Sequence, residues 1–438
     1  MHREVSQLIL YSDLPQDSIL TRLSGIFRDW NGQAAPEAKP ELIRRIYVEV
    51  KRLLDLATVC GFDRNLWHNY LTYLLISHEN SFSLTCEMTG AGDGSINHIA
   101  KADLSVFLRL FAYDFGPIER DLSIDCFTTL THYRAIPKRE QVYNRAVSES
   151  VQGLSAALEQ AKDAEEAFAL VTEHYRRFGV GLFGLNRAFR VRQVNGAVDF
   201  VPITNVDNVR LDDLVGYDIQ KAQLRENIEA FLDGTGFNNM LLYGDAGTGK
   251  STSVKAALNE YHERGLRVIE VYKHQFGLLS EIISGIKNRH CHFIIFLDDL
   301  SFEEQEVEYK YLKAVIEGGI ETRPDNVMIC ATSNRRHLVK ETWKDRDDME
   351  HDGDVHRSDT MEEKLSLASR FGCAISYQAP DPKLYREIVK QLAARRSDIR
   401  LSEEELLREA NRWEIRHGGY SGRTAQQFIN AVRSKSST

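Results

Sequence analysis

Residues 238–258 read NNMLLYGDAGTGKSTSVKAAL. An apolar run, a loop with three glycines, a Lys-Ser pair and a helix-forming tail follow in the order that a phosphate-binding strand, loop and helix require. GDAGTGKS (244–251) matches G-x-x-x-x-G-K-[ST] in full. Glycines there let successive backbone N–H groups turn inward around a β-phosphate, and the following helix presents its positive N-terminus to the same anion. The expected cradle is Gly244, Asp245, Ala246, Gly247, Thr248, Gly249, Lys250, Ser251 and Thr252. Lys250 is placed to neutralise β and γ oxygens, and the Ser251 hydroxyl to ligate Mg²⁺. The bland alternative is a flexible turn, which gives no reason for the lysine.

Around this loop the texture is that of an α/β sheet. Short β-branched runs alternate with amphipathic helices from about Ile203, which predicts parallel strands at 240–244, 267–272, 292–299, 326–334 and 373–378. The chain before it is different. Residues 1 to about 195 carry apolar residues at helical spacing, as in 41–62 and 151–179, with few strand signals. NGQAAPEAKP (31–40) and TGAGDGS (89–95) read as interruptions, and the acid-heavy 339–364 as a solvated loop. After Pro380 helices return, one opening with the capping box Ser402 to Glu405 and another near Ser421. The division expected is a mostly helical 1–200, an α/β nucleotide-binding core over 201–379 and a small helical lid over 380–438.

With 438 residues, more than one core is expected. No run of about 18 uncharged apolar residues occurs, and the first residues lack the basic and apolar regions of a secretory signal, so the expected compartment is the cytoplasm. The six cysteines are scattered with no CxxC pair, against both disulfides and a zinc knuckle. A net charge of −9 gives no global attraction for nucleic acid.

A phosphate loop of this kind needs a carboxylate on a neighbouring strand. HFIIFLDDL (292–300) supplies Asp298 as the Mg²⁺ candidate and Asp299 as the base that polarises the attacking water. Glu303 and Glu304 follow closely as rival bases, and a strand that merely ends in two acids is the plain alternative.

The set GDAGTGKS, FLDDLSF, EGGIETRPDNVMICATSNRRHLV, KLSLASRFG and GGYSGRTAQQF resembles the AAA+ ATPases and, within them, the bacterial predicted-ATPase family filed as domain of unknown function 815. The resemblance is strong over roughly 200–436 and thinner before it. It implies a Mg²⁺-dependent, ATP-hydrolysing homo-oligomer, a ring or open ring such as a hexamer. Position by position, Val215, Gly216 and Tyr217 would line adenine, and Asn334 would fix the attacking water as sensor 1, unless it only starts a turn. Arg370 would be an arginine finger reaching the neighbouring subunit's ATP; a cation favoured by a helix C-terminus is the other reading. Arg423 would be sensor 2, which gives a reason for a positive charge in the first turn of its helix.

Between the second strand and the Asp298 strand there is room for only one helix, too little for the extended pore loop of protein-threading relatives. Phe276 is therefore read as packing before substrate gripping. Two destinations stay open. One is remodelling or assembly of a protein client held by the helical N-terminal domain; the other, less favoured, is a nucleic-acid-associated ATPase such as a helicase loader. A GTPase is argued against by the lack of an Asn-Lys-x-Asp guanine reader.

Overall fold

The computed structural model describes residues 1–136, 143–302, 306, 308–317, 324–335, 338 and 367–436. Glu303, Glu304, Arg336 and the segment 339–364 lie outside the described residues.

Among the described residues the sheet has seven strands: β1 (Ala188–Val194), β2 (Ala197–Pro202), β3 (Met240–Gly244), β4 (Leu266–Glu270), β5 (His292–Leu297), β6 (Val327–Ser333) and β7 (Cys373–Tyr377). Their order is β2-β1-β4-β5-β6-β3-β7, parallel throughout except for the β1–β2 hairpin. The central strands are apolar on both faces because helices cover both. Ile295, Leu297 and Ile329 join one core cluster with the helix Leu279–Ile286, while Ile294, Phe296 and Met328 join another with the helices Asp218–Leu232 and Lys250–Tyr261. This is the α/β P-loop arrangement that the sequence predicts.

The hairpin is the element that the sequence reading missed. It extends the sheet through β1, which pairs in parallel with β4, so the strands begin at Ala188 and not after Ile203. The signal was there: Asn195 and Gly196 sit between two alternating runs and adopt φ of 52° and 83°, the left-handed pair that a tight two-residue hairpin turn demands.

The residues before the hairpin form helices, among them Ile19–Trp30, Lys39–Cys60, Leu66–Ser77, Ser81–Thr89, Ile96–Phe111, Arg145–Leu158 and Ala164–Phe178, around one core cluster of their own. This helical body is fastened to the sheet at the N-terminal ends of the strands. Arg289, just before β5, donates to both carboxylate oxygens of buried Glu87 at 2.7 and 2.8 Å, to Glu79 at 2.8 Å and to the Val180 carbonyl at 2.6 Å. Arg267 on β4 adds bonds to the carbonyls of Phe183 and Phe178 at 2.7 and 2.8 Å. Burial works against the Arg289 charge, but Glu87 and Glu79 outweigh it and raise its pKa.

The last three helices, Pro382–Ala394, Glu403–Arg416 and Gly422–Ser436, pack on each other in a separate small cluster. Ser402 and Glu405 form the expected capping box, and Ser421 accepts from the Thr424 N–H at 3.0 Å. Among the described residues no helix is long and apolar enough to cross a membrane.

Candidate nucleotide site

β3, between β6 and β7, delivers the loop 244–249 to the C-terminal edge of the sheet, where the chain direction of the connections reverses. Crevices of open parallel sheets form at such points. Gly244, Gly247 and Gly249 have φ of 130°, 75° and 96°, conformations that L side chains rarely adopt. Contact reinforces the requirement at Gly244, where a Cβ would stand 2.0 Å from the Tyr377 carbonyl oxygen. The helix Lys250–Tyr261 starts at the lysine itself, so its first N–H groups have no partner inside the helix.

A cavity of about 720 Å³ opens here. Ala246 to Thr252, Asp298, Asp299, Asn334, Val215, Tyr217 and Arg423 all line it. Gly244 and Asp245 lie behind the wall: their carbonyls accept from Lys250 Nζ at 2.9 and 2.7 Å. The same ammonium donates to Asn334 Oδ1 at 3.1 Å. Burial lowers the Lys250 pKa, against the raising effect of Asp245, Asp299 and Asp298, with Arg423 adding to the depression.

Around that ammonium the polar groups form one chain of bonds. Ser251 Oγ donates to Asp298 Oδ1 at 2.5 Å, and the Asn334 amide donates to Asp299 Oδ1 at 2.8 Å. Asp299 has φ of 52°, unusual for a non-glycine residue and a common mark of a functional position. Thr332, which the sequence reading passed over, ties the two acids together: its hydroxyl donates to Asp298 Oδ1 at 2.6 Å and accepts from the Asp299 N–H at 2.9 Å. A hydroxyl two residues before the candidate sensor, on the strand adjoining the two acids, was the available signal.

The lid closes the other side. The Arg423 N–H donates to the Gly247 carbonyl at 3.2 Å, and Gly422 and Arg423 line the cavity, so two helix N-termini converge on it. Ile388, Leu392 and Arg395 of the first lid helix and its end line the cavity together with Leu214, Val215 and Tyr217, beside the phosphate loop. Tyr217 packs on Tyr377 with ring centroids 5.4 Å apart and donates to the Gln378 carbonyl at 2.9 Å; burial pushes its pKa up to about 12. Gly216 turns the chain at φ 75° against Leu384 instead of facing the cavity.

Arg370 is placed elsewhere. Its guanidinium pairs with Glu317, at the end of the helix Glu308–Glu317, away from the cavity of its own chain. Phe276 is buried against Phe302, with ring centroids 6.2 Å apart.

The donor set suits a magnesium ion: Ser251 Oγ and Asp298 Oδ1 are hard oxygen ligands already side by side, with room beside them in the cavity.

Comparison with known proteins gives partial matches. The proteasome-activating nucleotidase of Methanocaldococcus jannaschii is 27% identical over 198 residues, which cover 42% of this chain and 43% of that protein. The chain thus matches less than half the length of that relative. Among solved structures, the FIGL-1 AAA domain in complex with ADP aligns at a TM-score of 0.37 and 17% identity, over 52% of this chain and 75% of that one. A variant of Thermotoga maritima RuvB aligns at 0.32 and 15%, over 51% and 71%. A family described as "Protein of unknown function (DUF815)" matches residues 185–436, from just before the hairpin to the last lid helix. The chain belongs to the DUF815 family.

Proposed function

We propose that this protein hydrolyses ATP to ADP and phosphate, with Mg²⁺, in a homo-oligomer whose subunits share each active site. The observation that carries the reading is the bonded set of Lys250, Ser251, Asp298, Asp299, Thr332 and Asn334 at the mouth of the phosphate loop. Loop N–H groups and Lys250 bind the β and γ phosphates. Ser251 and Asp298 hold Mg²⁺, which supplies charge neutralisation along the triphosphate. Asp299 accepts the proton of the attacking water, and Asn334, bonded to Asp299, orients that water in line. Arg423 approaches the γ-phosphate from the lid. Val215 and Tyr217 take the base, with Gly216 providing the turn between them.

Arg370 acts from the next subunit. Its place outside the cavity of its own chain supports that role, since a residue lent to a neighbour has no reason to face its own site. Hydrolysis then depends on assembly as a ring or open ring, a hexamer being the closed form to look for.

The work done is remodelling or assembly of a protein client, with the helices before the β1–β2 hairpin as the client-holding domain, the sheet with its hairpin as the core and 380–438 as the lid. The short connection between β4 and β5 and the burial of Phe276 favour a machine that does not thread its client. The decisive experiment measures phosphate release from ATP across protein concentration, with and without Mg²⁺. Turnover that needs Mg²⁺ and rises as subunits assemble is expected; ATP bound without any release, at any concentration, defeats the reading. Stimulation by DNA that fades steeply with salt would redirect the client assignment to a helicase-loader-like role.

A further inference from the structure

A second cleft, of about 600 Å³, lies where the helical body, the segment leaving β2 and the end of the helix Lys250–Tyr261 meet. Arg187 sits in it half-buried, and among the described residues its guanidinium has neither a hydrogen bond nor an ion pair. The carboxylates that line the cleft are already engaged: Glu149 accepts from Arg145 at 2.6 Å, and Glu263 pairs with Arg177 at 3.3 Å. The uncommitted groups carry N–H or O–H donors, namely Arg210, Thr204, Asn205 and Asn208, none of which has a side-chain partner among the described residues. Burial lowers the Arg187 pKa; Glu149 opposes this, and Arg145 and Arg267 reinforce it.

A partly desolvated cation without a partner is destabilising until an anion reaches it. The guanidinium fork and nearby amides match the several oxygens of a phosphate better than a single point charge would. The volume lies in the range of small-molecule pockets and exceeds what a lone inorganic ion fills. We propose that this cleft binds a small organic phosphate, with Arg187 as its inner anchor and Arg210, Asn205 and Asn208 at its outer rim. The site is separate from the Lys250 cradle, yet shares a wall with it. Asn259 donates to the carbonyls of Asp207 and Val209 at 2.7 and 2.8 Å, and Val209 lines the nucleotide cavity.

The test is calorimetric titration of inorganic pyrophosphate into the full chain, first saturated with ADP and then as the Lys250→Ala variant, so that the nucleotide cradle is silenced in two ways. One equivalent bound in both is expected, with affinity reduced about tenfold or more in Arg187→Gln and less in Arg210→Gln. Thermal unfolding of each variant checks its fold. No binding in either silenced protein, or equal binding by Arg187→Gln, overturns the proposal. Ribose 5-phosphate and a single-stranded oligonucleotide then compete against pyrophosphate. Displacement by the sugar phosphate is the expected result; displacement by the oligonucleotide alone overturns a free metabolite as the source and assigns the phosphate to a nucleic-acid backbone.

Discussion

The Thr332 hydroxyl bonds the Asp298 carboxylate at 2.6 Å and the Asp299 N–H at 2.9 Å, so one buried side chain fixes the metal candidate and the base candidate together. Thr332→Val keeps the shape and takes one hydrogen-bond partner from the Asp298 carboxylate and one from the half-exposed Asp299 N–H. Turnover of ATP should fall about tenfold or more with little change in KM. Thr332→Ser should restore most of it, which a loss of packing alone would not explain.

Lys250 and Asp299 should separate binding from chemistry. Lys250→Ala removes the cation from the loop and should abolish binding in a fluorescent-ATP titration. Asp299→Asn keeps the bond to Asn334 within reach and should bind ATP normally, yet lose on the order of 10²–10⁴ in turnover, measured by phosphate release.

Arg370→Ala should leave ATP affinity intact and lower turnover on the order of 10³, the size known for lent arginines. Mixing this variant with Lys250→Ala subunits gives a sharper readout. Each lacks what the other supplies, so activity should reappear in the mixture; if it does not, the arginine acts within its own chain or not at all.

Arg289→Met should destabilise the chain by roughly 3–5 kcal/mol, because Glu87 remains buried without its partner. Urea unfolding measures the loss. Converting Glu87 to Gln in the same chain should recover part of it.

His174 is buried against Phe178, and burial, helped by the Arg177 charge, lowers its pKa to about 4. The unfolded chain takes up that proton near pH 6.5, so the folded form is favoured fully above this value and loses ground as pH falls toward 4, by on the order of 3 kcal/mol in total. The difference in unfolding free energy between wild type and His174→Gln, followed from pH 7 to pH 4, should track this loss.

The parts of the candidate site were legible because they are local: a loop flanked by strand and helix, two acids ending an apolar run, an amide ending another. The five core strands were legible for the same reason, being apolar runs bounded by turn residues. What escaped depends on tertiary placement. Thr332 looks like any strand threonine until β5 lies beside β6. Arg289 and Glu87 stand 202 residues apart in sequence, and no pattern of spacing announces such a pair.

That pair fixes where the helical body meets the sheet. The helical body is riveted to the ends of the strands farthest from the phosphate loop, whereas the lid meets that loop through the Arg423 N–H and a few side chains. A body fixed in this way moves with the sheet. If ATP is hydrolysed as proposed, a change at the phosphate loop reaches the lid directly and the helical body only through the core.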